Sequence, residues 1–112
     1  MAKPPSRPYS RYTKDALLLM AQLIRTARIE RKLTVAELAE RAAVSRGLIQ
    51  RIEQGDPGCA IGAVFEVAAL LGIRLFNADQ PTLSANTAIQ QQTLVLLPQA
   101  ARDSRKPVKD DF

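Results

Sequence analysis

Arginine and glutamine are the side chains that pair bidentately with guanine and adenine edges. Arg46, Gln50 and Arg51 stand within six residues of one another in the stretch Ser45-Arg46-Gly47-Leu48-Ile49-Gln50-Arg51-Ile52-Glu53-Gln54-Gly55. Ser45 is a helix N-cap residue and Gly55 a helix-ending glycine, so the stretch is predicted to be one short helix. At helical spacing Leu48, Ile49 and Ile52 face inward, and Arg46, Gly47, Gln50 and Arg51 fall on the outer side. A helix of this kind is built to enter a DNA major groove.

The elements that must position it are short. Thr34-Val35-Ala36-Glu37 is a capping box, opening a helix that runs to about Ala42 with Leu38 and Ala39 inward. Ala42-Ala43-Val44 forms a turn before Ser45. Two short helices joined this tightly match the helix-turn-helix arrangement, against the plainer alternative of an ordinary αα-hairpin. Upstream, Thr13 to about Lys32 reads as a helix with Leu17, Met20, Ile24, Ala27 and Arg31 along one side. Arg28 shares that side and needs a partner, for which Glu53 is the candidate. Leu18 and Leu19 lie elsewhere around this helix, as if a second copy of the chain covered them. Downstream, Gly55-Asp56-Pro57-Gly58 is a turn. Ile61 to Leu71 is a helix with Ile61, Val64, Phe65, Ala68 and Leu71 buried, poorly capped at Ala60 and ended by Gly72.

Charge supports a polyanion partner. The 112-residue chain has net charge +5. Residues 1–58 hold 11 Lys/Arg against 6 Asp/Glu, whereas residues 59–112 hold 5 of each, so the excess lies with the proposed reading helix. Residues 1–12 carry Lys3, Arg7 and Arg11 among three prolines. They are expected to form either a basic arm along phosphates or a solvated polar terminus. With no histidine and one cysteine, Cys59, disulfide and zinc frameworks within one chain are excluded and no cofactor is expected. An enzyme would have almost nothing to work with. The apolar run Ala16 to Ala21 is too short for a bilayer and lacks a signal-peptide pattern, so a soluble cytoplasmic protein is expected, with no membrane partner.

Ile73-Arg74-Leu75-Phe76-Asn77 alternates loosely and reads as a short strand, with Ile73, Leu75 and Phe76 pairing it to a second chain. Residues 79–112 read as a flexible polar tail, with a small apolar island ending at Leu96 and Leu97, and Phe112 as a further point of grip. The expected organisation is therefore an arm (1–12), an all-α domain of four main helices closed by a dimer strand (13–78), and the tail (79–112).

The run LIRTARIERKLTVAELAERAAVSRGLIQRIEQG, continued by AIGAVFEVAALLGI, resembles the Xre/Cro–lambda-repressor helix-turn-helix family over about residues 20–73. The resemblance implies base contacts at Arg46, Gly47, Gln50 and Arg51 and an Arg28–Glu53 ion pair. It also implies phosphate contacts from Ser45, the start of the second helix and Gln54. Where Val35 stands the family often has glutamine, which shifts phosphate binding there to backbone amides and Arg41. The G-D-P-G turn and the segment IRLFNAD are similar to the HipB-like antitoxins. That narrower resemblance implies a homodimer that represses its own operator on double-stranded DNA and neutralises a HipA-like serine/threonine kinase toxin, for which the apolar points Leu96, Leu97 and Phe112 are the candidate contacts. A stand-alone Xre-type regulator and a protein-interaction module without DNA binding are the alternatives.

Overall fold

A computed structural model describes residues 9–98 of the chain. Lys3, Arg7 and Phe112 lie outside the described residues. The chain divides between Leu75 and Phe76 into two units, and each is described by itself. All regular structure among the described residues is helical.

The first unit holds four helices. The first, α1 (Arg11–Glu30), starts two residues earlier than the sequence suggests, because the Ser10 hydroxyl accepts the Thr13 amide at 3.2 Å. Arg11 therefore belongs to the first turn of α1 and not to an N-terminal arm. The second, α2 (Val35–Ala42), opens on the expected capping box, with Glu37 N–H donating to Thr34 Oγ1 at 3.0 Å and Thr34 N–H to Glu37 Oε1 at 2.8 Å. It ends at Ala43, whose φ of 58° is left-handed and turns the chain within three residues into α3 (Arg46–Glu53). The fourth, α4 (Ile61–Leu70), begins at Ala60 without a side-chain cap.

The core consists of small and branched aliphatic side chains: Ile24 and Ala27 from α1, Leu38 and Ala39 from α2, Ile49 and Ile52 from α3, Val67 and Ala68 from α4, and Leu71. α2 packs on α3 and α4, and α1 on α3. Each fully buried Leu or Ile contributes roughly 1.5–3 kcal/mol relative to exposure, so these few residues carry the positioning of α3. Two faces differ from the periodic reading. On α1 the buried row is Ala21, Ile24 and Ala27, with Leu17 and Met20 half-buried and Arg31 exposed. On α4 Val67 is buried, whereas Ile61 is 69% exposed.

The intersubunit strand is corrected. Ile73 and Leu75 pack against the core of the first unit, which consumes the alternating apolar side chains. Leu75–Asn77 is a short 3-10 turn in which Phe76 and Asn77 both have φ of 55°. Two successive left-handed residues cannot extend a β ladder.

The reading of a flexible tail is corrected as well for residues 79–98, and its remainder, 99–112, lies outside the described residues. In the second unit α5 (Gln80–Leu96) is a 17-residue helix. Asp79 caps it by accepting the Thr82 amide at 2.9 Å, and Pro81 occupies its first turn, where a missing N–H costs nothing. Leu97 leaves the helix in an extended conformation just before Pro98.

Candidate nucleic-acid interface

Helix α3, which carries the candidate base-reading residues, is built from both ends. At its start the Ser45 hydroxyl accepts the Leu48 amide at 3.1 Å. At its end Gly55, with φ of 76°, lets its own N–H donate to Ile52 O at 3.0 Å while Asp56 N–H donates to Arg51 O at 3.1 Å. This paired closure is the Schellman arrangement, which requires a left-handed residue that glycine adopts without a Cβ clash. The ends are thus fixed by hydrogen bonds and the inner face by Ile49 and Ile52, which are 0% and 4% exposed.

Opposite that buried face, Arg46, Gly47, Gln50 and Arg51 are all exposed. Two cationic forks and one amide therefore stand on a single outward surface. A Cβ placed on Gly47 would meet only the Ser45 hydroxyl, at 3.9 Å, so the surface there is open.

The groups expected at phosphates frame this surface by their place in the fold. Val35 is the first residue of α2, half-buried, and its amide belongs to a first turn that has no intrahelical acceptor. Arg41 is exposed in the last turn of the same helix, Ser45 caps α3, and Gln54 ends it. Beside Gln54 lies a groove of about 670 Å³ whose lining includes Tyr9, Lys14, Gln54 and Asp56. Lys14 is not among the residues that the sequence marks for phosphate contact. Its only signal there is a basic residue in the first turns of α1, which spacing alone does not tie to α3.

An ion pair fixes α1 to α3. Arg28 Nε donates to Glu53 Oε2 at 2.7 Å, Nη2 to Oε1 at 3.1 Å, and Nη1 to the Leu33 carbonyl at 2.9 Å. The side chains are 11% and 5% exposed. The hydrogen bonds to Glu53 raise the Arg28 pKa above its ordinary value, against the opposing effect of burial. One guanidinium thus ties together α1, the bend at Leu33 and the last residue of α3.

A charged outward face, a tightly turned pair α2–α3 and a buried pin through α1 are now in place. Residues 19–75, half of the chain, match the family described as helix-turn-helix domain. The chain belongs to the helix-turn-helix domain family. No curated protein and no solved structure matches it. Membership accounts for the first unit from the middle of α1 to Leu75 and suggests sequence-specific DNA binding as the work of a regulator. The match ends before α5. Among the described residues of this helix-turn-helix protein, no group of three or more Cys, Asp or Glu residues is arranged to hold a metal ion, and no helix is long and apolar enough to cross a membrane.

Proposed function

We propose that this helix-turn-helix protein is a transcriptional repressor that binds an operator as a homodimer and blocks polymerase by occupancy, acting in the cytoplasm as a binder and not an enzyme. The observation that carries the reading is the division of α3 into a buried face, Ile49 and Ile52, and an exposed face, Arg46, Gln50 and Arg51. Arg46 and Arg51 suit guanine and Gln50 suits adenine. Gly47 contributes no side chain, so the base code rests on three residues. Phosphate contacts from the start of α2, Arg41, Ser45, Gln54 and Lys14 would set the register of the helix in the groove.

In place of a strand, α5 supports dimer formation. It contains no charged residue and none of its residues is buried, with Ile89, Val95 and Leu96 at 62%, 72% and 77% exposure. An isolated helix of this length is marginal in water. Ala85, Ala88, Gln92 and Val95 follow at steps of three, four and three residues, with Ile89 and Leu96 beside them. This is the spacing of a helix-pairing seam. A second copy of α5 fits it because neither partner brings charge to be desolvated, and the Gln92 amide can both donate to and accept from its equivalent. A two-fold dimer that reads two half-sites presents its reading helices to successive turns of the duplex, about 34–36 Å apart.

Selecting bound sequences from a random duplex pool with the full-length protein tests the reading. Two inverted half-sites about one helical turn apart are expected. Recovery of no preferred sequence would overturn it.

A second reading adds neutralisation of a HipA-like kinase toxin. It is favoured by the exposure of Leu96 and Leu97 at the end of α5, at 77% and 51%, and by the G-D-P-G turn at residues 55–58. The strand on which this resemblance also drew is not present. Co-purification with a kinase encoded beside this gene, lost on Leu97→Glu with the dimer intact, would support it. Retention of the complex in that variant would remove Leu97 from the contact.

A further inference from the structure

Asp56 stands at the edge of the reading face, although a carboxylate there repels the phosphates of every duplex. Four interactions hold it. Its N–H donates to Arg51 O at 3.1 Å, and its carbonyl accepts the Cys59 N–H at 3.4 Å. Its Oδ1 accepts the Gly58 N–H at 2.8 Å. With both ends of its backbone and one carboxylate oxygen engaged, the remaining oxygen Oδ2 has a defined direction, and it lies 3.9 Å from Arg51 Nε. That separation is a charge contact and not a hydrogen bond.

The edge of the guanidinium that Asp56 meets is the informative part. Approach at Nε leaves the terminal Nη1–Nη2 fork unoccupied, and that fork spans guanine O6 and N7. In the unbound protein the pair is 56% and 38% exposed, so water screens it. Inside a major groove, with water displaced, the same contact strengthens as the local dielectric falls.

We propose that Asp56 is a positioning residue that holds the Arg51 guanidinium by its Nε edge and so aims the terminal fork at one guanine in each half-site. The inference rests on Arg51 reading a base, as argued above. Asp56 lowers affinity for all duplexes alike and returns discrimination at one base pair. It is therefore a specificity determinant that need not touch DNA.

The experiment measures binding by fluorescence anisotropy, using full-length protein and a duplex set in which each operator base pair is varied in turn. Arg51→Ala first identifies the base pair whose preference disappears. Asp56→Asn, which keeps an oxygen for the Gly58 amide but removes the charge, is expected to lower preference at that same pair by about fivefold or more. Preferences at the other pairs should persist, and binding to random duplex should tighten. The double variant should discriminate no worse than Arg51→Ala alone. Unchanged preference at that pair in Asp56→Asn, equal losses at all pairs, or an additional loss in the double variant would overturn the proposal. If Arg51→Ala flattens no base pair while the wild type discriminates, it is the assignment of Arg51 that fails, and this inference fails with it. Thermal melting of Asp56→Asn within a few degrees of wild type separates loss of aim from loss of fold.

Discussion

Arg28 and Glu53 form a two-pronged pair at 2.7 and 3.1 Å across 25 residues of sequence, with both side chains almost wholly removed from solvent. Such a pair adds little net stability against an apolar replacement, but stranding one member is costly. Arg28→Ala should lower the unfolding free energy by about 3–5 kcal/mol. Arg28→Lys should restore only part of it, because an ammonium cannot span both carboxylate oxygens and Leu33 O. Chemical denaturation checks both. In a double-mutant cycle Arg28→Ala with Glu53→Ala should cost less than the sum of the single changes.

Gly47 and Ala43 are exchangeable in opposite senses. Gly47 lies in α3 with its Cβ position open, so Gly47→Ala should stabilise by about 0.5–1 kcal/mol. Ala43 holds φ of 58°, so Ala43→Gly should relieve a left-handed alanine and raise the melting temperature slightly. A fall in melting temperature for either variant would contradict the turn geometry described.

Acid should loosen the helix starts. Hydrogen bonding from Thr34 holds the Glu37 carboxyl below its ordinary pKa, and hydrogen bonding from Thr82 does the same for Asp79. A depressed folded pKa contributes stability that is fully present above the unfolded value, about 4 for these groups, and is lost as pH falls through the folded value. Melting followed from pH 6 down to pH 2 should show a steeper acid limb for wild type than for Glu37→Ala. Superimposable acid limbs would remove Glu37 from the linkage.

Arg46 and Gln50 should behave as base readers and Arg41 and Lys14 as phosphate contacts. Arg46→Ala or Gln50→Ala is expected to cost about 1–3 kcal/mol on the preferred operator and to relax preference at one base pair. Arg41→Ala and Lys14→Ala should weaken all duplexes alike and flatten the dependence of log K on log salt by about one unit each. Titrations at several salt concentrations distinguish the two classes.

Charge placed on α5 should dissociate the proposed dimer. Ile89→Glu puts like charges in the seam of two helices that otherwise carry none, so sedimentation should shift to monomer and operator affinity should fall. A dimer unchanged by Ile89→Glu would move the interface elsewhere.

The first unit was legible because its signals are local. The capping box at Thr34 and Glu37, the caps at Ser45 and Gly55 and the apolar spacing of α3 each act within a few residues, and the structure places them accordingly. The structure departs from the sequence reading at Ile73–Asn77 and at residues 79–98, for two different reasons. Alternation in Ile73–Asn77 looks extended, but Ile73 and Leu75 are drawn into the helical core, and tertiary packing overrides a weak local pattern. Beyond it, the polar composition of 79–92 hid a start signal that was present: Asp79 followed by Pro81 is a cap with a first-turn proline. In the sequence Asp56 shows only turn chemistry, since its proximity to Arg51 Nε depends on how the chain closes after Gly55.

The helix proposed to read the duplex, α3, is anchored by Ile49, Ile52 and its two hydrogen-bonded ends, none of which belongs to positions 46, 47, 50 or 51. Those four sites can be randomised as a combinatorial library with the scaffold held constant. Each member would inherit the same anchoring, so under the proposed function the chain would serve as a chassis on which new operator preferences are installed one face at a time.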